Sequence, residues 1–149
     1  MKLLIFTRYP EAGYVKTRFI PALGADGACN LLRRMAEHTI KQLSFLAREI
    51  EICFTGRGER EMQEWQGETL TYSPQGEGDL GKRLHRAFAR TFSQGEDKAA
   101  VVGTDCPELT ASLVQKAFQS LEGSDLVLGP AADGDYYLLG LNRLYKYLF

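Results

Sequence analysis

Apolar residues run almost unbroken over residues 2–7, the pattern of a short strand buried on both faces. A polar loop follows to about Gly24. From near Asp26, a plausible N-cap, to about Arg48 the period changes to that of a helix, with Leu31, Met35, Thr39, Leu43 and Leu46 forming its apolar stripe. Residues 51–55 predict a second strand, stopped by Gly56-Arg57-Gly58. Residues 59–66 form a short, charged helix, and residues 69–72 a weak strand suited to a sheet edge. Residues 73–78 are turn-rich. Asp79 then caps a helix with Leu80, Leu84, Ala87, Phe88 and Phe92 on one face. Residues 99–103 are again wholly apolar. Thr110 caps a helix bearing Leu113, Ala117 and Leu121, which Gly123 stops. Residues 125–128 and 136–141 complete the series as strands.

The predicted order is therefore β-α-β-α-β-α-β-α-β-loop-β. Repeated βαβ units with buried strands imply an α/β fold: a mostly parallel central sheet in a three-layer, Rossmann-like arrangement with helices on both faces. No repeat, low-complexity tract or linker interrupts it, so residues 1–149 are expected to form a single domain. Ligands of such sheets sit beyond the carboxyl ends of the strands, where the strand order switches.

Composition narrows the partners. The chain is 44% apolar and 25% charged, with a formal net charge of -1, so no general basic field argues for nucleic acid. The first apolar run is too short for a signal-peptide core or a membrane span, and a cytoplasmic protein is expected. Cys29, Cys53 and Cys106 are odd in number and lack a C-x-x-C spacing. They read as reduced thiols rather than disulfide partners or zinc ligands, with Cys106 buried beneath its loop.

Three loops at the expected ligand edge carry chemistry. The first joins Gly13 to Lys16, Thr17 and Arg18. Glycine lets backbone N–H groups approach an anion, Lys16 supplies charge, and Arg18 can grip two phosphate oxygens. The spacing matches neither a Walker A loop nor G-x-G-x-x-G. The competing reading is a solvated basic loop. The second, Gly103-Thr104-Asp105-Cys106-Pro107-Glu108, leaves an apolar strand directly. Asp105 there is a hard oxygen donor suited to Mg²⁺ or Mn²⁺ bridging to a diphosphate, although Asp is also a common turn residue. The third contains Asp133, Gly134, Asp135, Tyr136 and Tyr137. Either acid could serve as a second metal ligand, a base or a hydrogen-bond partner for an acceptor hydroxyl; a plain Asp-Gly turn is the alternative. A fourth segment places Gly81 and Arg83 at a helix start after Gly78, where an anion can be held. Asp79 as a simple cap competes with that reading. His38 and His85 lie within helices and receive no role.

These stretches, LLIFTRYPEAGYVKTRFIPALG, GEGDLGKRLHRAF, VVGTDCPELT and LVLGPAADGDYYLLGL, resemble a bacterial family of small arsenosugar-biosynthesis-type or selenodomain-associated glycosyltransferases. That family belongs to the nucleotide-diphospho-sugar transferase superfamily, with a GT-A fold. The resemblance implies a sugar nucleotide on the first loop, with Lys16 and Arg18 at its phosphates. It also implies a metal at Asp105, with Asp133 near the reacting centre. Two departures stand out. The family's third loop reads Asp-Gly-Gly-Tyr-Tyr, and here Asp135 replaces the second glycine, adding charge and a Cβ. Relatives also continue with a further helix and an acidic segment, so a shortened member lacking the usual C-terminal segment is expected. Tyr145, Tyr147, Leu148 and Phe149 would then seal the core or mediate homo-oligomer formation.

The leading expectation is a metal-dependent glycosyltransferase moving a sugar from a nucleotide-diphosphate sugar to an unidentified small-molecule acceptor. Nucleotidyl transfer from an NTP with release of pyrophosphate is the first alternative, and a non-catalytic nucleotide-binding remnant the second.

Overall fold

The computed structural model describes residues 1–13, 17–106, 108–130, 136–145 and 147–149. Six strands form one sheet: Lys2–Arg8 (β1), Ile50–Thr55 (β2), Thr71–Pro74 (β3), Ala99–Val102 (β4), Leu126–Pro130 (β5) and Tyr136–Leu141 (β6). Their order is β3-β2-β1-β4-β6-β5, with β3, β2, β1 and β4 mutually parallel. β6 runs antiparallel to both β4 and β5. The reason is covalent. Only five residues separate β5 from β6, whereas a parallel crossover needs a dozen or more.

The helices are Ile20–Gln42 (α1), Glu59–Gln66 (α2), Leu80–Ser93 (α3) and Ala111–Ser120 (α4). Alternate β1 residues divide the core. Leu3 and Ile5 pack with Ile40 and Leu43, with Met62 of α2, and with Val114 and Phe118 of α4. Leu4 faces the other way, toward Ala87 and Phe88 of α3. The sheet is thus covered by α1, α2 and α4 on one face and by α3 on the other, the three-layer arrangement expected from the βαβ repeats.

Local signals held where a side chain could act alone. Asp79 Oδ1 accepts from the Lys82 amide at 2.8 Å, and Thr110 Oγ1 accepts from the Leu113 amide at 3.3 Å, capping α3 and α4. Other details moved. Gly24 is non-helical inside α1 (φ 73°), so the uninterrupted helix begins close to Asp26. Its buried face is Ala28, Cys29, Leu32, Ala36, Thr39 and Ile40, while Leu31 and Met35 are only half-buried. Two residues of that face are alanines, to which a hydrophobicity pattern gives little weight. Leu43 and Leu46 are buried as expected, but the second lies in a 3₁₀ turn, Ser44–Glu49. The weak third strand starts two residues late. It is an edge strand, which accommodates Pro74 at its end.

One polar cluster interrupts the α3-side core. Glu51, 3% exposed, accepts from Ser73 Oγ and pairs with Arg90 Nη2 at 3.1 Å. The same guanidinium lies 3.7 Å from Cys53 Sγ. Burial pushes the Cys53 thiol up to about 12, with the Glu51 charge adding to the rise and Arg90 opposing it. Cys29 is also buried, whereas Cys106 is half-buried against the core, more accessible than the sequence suggested. Brief iodoacetamide treatment of native protein near about pH 8 should therefore label Cys106 well ahead of Cys29 and Cys53. Peptide mass mapping reads this, and Cys53 labelling as fast as Cys106 would contradict the buried placement. Among the described residues, no helix is long and apolar enough to cross a membrane.

Candidate functional site

β1 sits between β2 and β4, so successive connections leave it in opposite directions and the β1/β4 boundary is a switch point. Ile5 is level with Val102, and Val102 with Leu138. The loop after β1, the loop after β4 and the start of β6 therefore emerge side by side at one edge. The first three sequence-predicted loops are rooted at this edge.

The first loop is fixed at its root. The Tyr9 amide donates to Thr55 O at 2.9 Å, and the Tyr9 ring meets the Trp65 ring edge-on at 6.0 Å. Arg57 Nη2 pairs with Glu11 Oε1 at 2.8 Å. These contacts tie the loop to the β2–α2 connection. Gly13 follows with φ 89° and open space around its missing Cβ. Glycine is needed there for backbone conformation, and the space is what an approaching ligand requires. Lys16 lies outside the described residues. Thr17 begins a 3₁₀ turn, Thr17–Phe19, in which exposed Arg18 holds its guanidinium 4.9 Å over the Phe19 ring. That stacking holds the cation at the surface.

After β4, Thr104 is buried and Asp105 exposed, and the Leu109 amide donates to Cys106 O at 3.1 Å to turn the chain into α4. Asp133 and Asp135 lie outside the described residues. Tyr136, which follows them, is exposed, and Tyr137 is half-buried against the α4-side core.

Sequence reading missed two residues at this edge. Gln75 is 5% exposed, and its side-chain amide donates to Thr7 O at 3.1 Å and Cys53 O at 2.9 Å. Its Oε1 accepts from Arg83 Nη1 at 2.6 Å. Gln75 thus ties the ends of β1, β2 and α3 together. Arg83, a candidate phosphate ligand, is here a brace for the 75–79 loop, donating also to Asp79 O at 3.3 Å. Arg86 completes the brace by donating to Gln75 O at 2.6 Å and Glu77 O at 2.9 Å. Gly76 has φ 81°, and a Cβ there would run into the Arg86 guanidinium. Gly81 lies in the first turn of α3, beside Asp79. The second missed feature is Thr7, whose Oγ1 is buried without a partner among the described residues, as is Arg8 Nε. Orphaned polar atoms at a ligand edge are candidates for ligand contact. No local signal marks Gln75, because the carbonyls it bonds are distant in sequence, and none marks Thr7.

Gln75→Ala should cost about 2 kcal/mol, since two buried carbonyls and Arg83 lose their partner. Urea unfolding measures the loss. An unchanged midpoint would show that water replaces the amide.

A divalent cation is what the resemblance of the motifs implies here. Among the described residues no group of three or more His, Cys, Asp or Glu could hold a metal alone. The fit is instead to Mg²⁺-type binding, in which one or two carboxylates suffice and phosphate oxygens and water complete the shell. Asp105 and Glu108 are the exposed carboxylates of the loop after β4 that could contribute to such a shell.

Comparison with known proteins places this geometry. No functionally curated protein matches the chain. A crystal structure from Desulfovibrio desulfuricans G20, of a protein provisionally assigned as a nucleotide-diphospho-sugar transferase, is 34% identical with TM-score 0.89. The match covers 95% of this chain and 64% of that one. A cytidylyltransferase from Leptospira borgpetersenii shares the fold at TM-score 0.61 and 14% identity, over 95% of this chain and 59% of its own. This chain therefore spans less than two-thirds of either protein's length. The fold is that of the nucleotide-sugar transferases, as the motifs implied. A family model described as "Uncharacterized protein conserved in bacteria (DUF2064)" matches residues 39–149, and with most of its length inside that match the chain belongs to this family.

Proposed function

We propose that the protein binds a nucleotide-diphosphate sugar at the β1/β4 edge with Mg²⁺ or Mn²⁺ and transfers the sugar to a small-molecule acceptor. The observation carrying this reading is the switch point at which parallel β1 and β4 end side by side, so that the loop carrying Gly13, with its positive φ, and the loop carrying exposed Asp105 leave the sheet at the same edge. The similarity to the Desulfovibrio protein supports it.

In this reading, backbone N–H groups around Gly13 receive the diphosphate. Arg18 grips its oxygens in a fork, leaving the Phe19 ring, and Lys16 adds charge. Asp105 holds the cation, which when bound stabilises charge on the leaving diphosphate. Thr17 and Gly81 line the phosphate approach, and Arg83 keeps the 75–79 loop in place beside it. Asp133 or Asp135, preceding β6, is positioned in the chain to take the proton of the acceptor hydroxyl.

A thermal-shift panel tests the reading: nucleoside di- and triphosphates and sugar nucleotides, each with and without Mn²⁺. A rise in melting temperature for one nucleotide class that depends on Mn²⁺ is expected. Product analysis then separates the chemistries, free nucleoside diphosphate for glycosyl transfer and pyrophosphate for nucleotidyl transfer. If no nucleotide stabilises the protein with either metal, the site assignment fails.

A further inference from the structure

β1 ends on an arginine that the described residues leave without a polar partner. Leu4 and Phe6 face α3, and side chains alternate along a strand, so Arg8 leaves β1 on that same face. Its backbone is fixed at the sheet. Arg8 is level with Thr55 of β2, and the next amide, that of Tyr9, donates to Thr55 O. Its stem runs close to Gly56, where a Cβ would stand 3.3 Å from Arg8 Cγ and 3.5 Å from Tyr9 Cβ. A glycine with φ 96° thus turns the chain after β2 and leaves room for the arginine.

The head group is unmatched. Arg8 is half-buried, and its Nε is sealed from solvent with no hydrogen-bond partner among the described residues. Glu11, three positions on, is taken by Arg57, and no ion pair among the described residues includes Arg8. The arginines of α3 are committed elsewhere: Arg83 and Arg86 brace the 75–79 loop, and Arg90 pairs with Glu51. Burying a guanidinium N–H without an acceptor destabilises the free protein. At a ligand edge, a bound anion is the acceptor that accounts for it.

We propose that Arg8 is a phosphate-binding residue of this edge, its guanidinium forking onto two phosphate oxygens. No hydrogen bond to a described residue holds the head group, so a swing off the Gly56 wall breaks none and frees Nε–H to join the fork. The loop that starts at Arg8 carries Gly13, whose positive φ and open surroundings let backbone amides approach an anion as well. The phosphate is that of the nucleotide or of a phosphorylated co-substrate, and which of these carries it is the only point that rests on the nucleotide reading.

Thermal shift over a series of inorganic pyrophosphate, without added metal, tests this in the wild type and in Arg8→Met, whose unbranched side chain keeps the stem beside Gly56. Ligand-free Arg8→Met should melt roughly 2–4 °C higher, because the stranded N–H is gone. Its dissociation constant for pyrophosphate should rise by about 10- to 100-fold. A lower ligand-free melting temperature marks a structural arginine and overturns the proposal. So does a wild type that ignores pyrophosphate, or a variant that binds it equally well. Phenylglyoxal labelling of the wild type, read by peptide mass mapping, needs no variant. Arg8 should react ahead of Arg83 and Arg86 and be protected by pyrophosphate; labelling that pyrophosphate does not slow overturns the assignment. Nucleoside diphosphates and sugar 1-phosphates then identify the carrier. If pyrophosphate binds through Arg8 and no nucleotide does, the nucleotide reading fails while the role of Arg8 stands.

Discussion

Glu51→Ala is expected to lower stability by about 3 kcal/mol, the low end for breaking a buried ion pair. Glu51 is almost wholly buried, so its removal leaves Arg90 facing Cys53 without a countercharge and Ser73 without its acceptor. The low end applies because the Arg90 side chain is 27% exposed, and water can reach it. A domain of this size should lose about 6–12 °C in melting temperature for that change. Glu51→Gln should cost less, because it still accepts from Ser73. Replacing both partners together, Glu51→Met with Arg90→Met, should recover most of the loss, since no buried charge is stranded. Urea unfolding of the three variants checks the series. A loss under about 1 kcal/mol for Glu51→Ala would mean the pair is effectively solvated. Glu51 is the second residue of β2, at the end away from the ligand edge, so nucleotide-induced stabilisation should survive in every folded variant.

Asp105→Asn should remove the Mn²⁺-dependent part of nucleotide stabilisation while leaving the protein folded. Asparagine keeps the size and one carbonyl oxygen but removes the negative charge that a hard dication requires. With nucleotide at 100 times its dissociation constant, binding stabilises the native state by about 2.7 kcal/mol, a rise of roughly 5–11 °C here. In the variant only a metal-independent remnant should persist, carried by Arg18 and the backbone around Gly13. Arg18→Ala should show the converse, a weakened response both with and without metal. Thermal shift with and without Mn²⁺ reads all three proteins. A full Mn²⁺-dependent rise in Asp105→Asn would move the metal to another carboxylate.

Much of this architecture was legible along the chain. Continuous apolar runs marked β1 and β4, alternation of periods gave the order of all six strands, and Asp79 and Thr110 marked two helix starts. The three loops at the ligand edge followed from that order, because parallel βαβ units place the connections after β1 and β4 at the same edge. Gly13 takes the positive φ that glycine alone adopts readily.

What the sequence by itself determined was therefore each signal carried by a residue and its near neighbours: period, cap, turn and motif. Only the tertiary structure decided what depends on partners far apart in the chain. It selected Ala28, Leu32 and Ala36 for the buried face of α1, because close packing rewards small residues that a hydrophobicity pattern discounts. It paired Glu51 with Arg90 and Ser73, turning a strand-start acid into a buried ion pair. It set Gln75 across the ends of β1 and β2 and turned Arg83 into a brace for the loop beside them. A buried polar group must find its partners wherever the fold brings them, and sequence spacing carries no record of that distance.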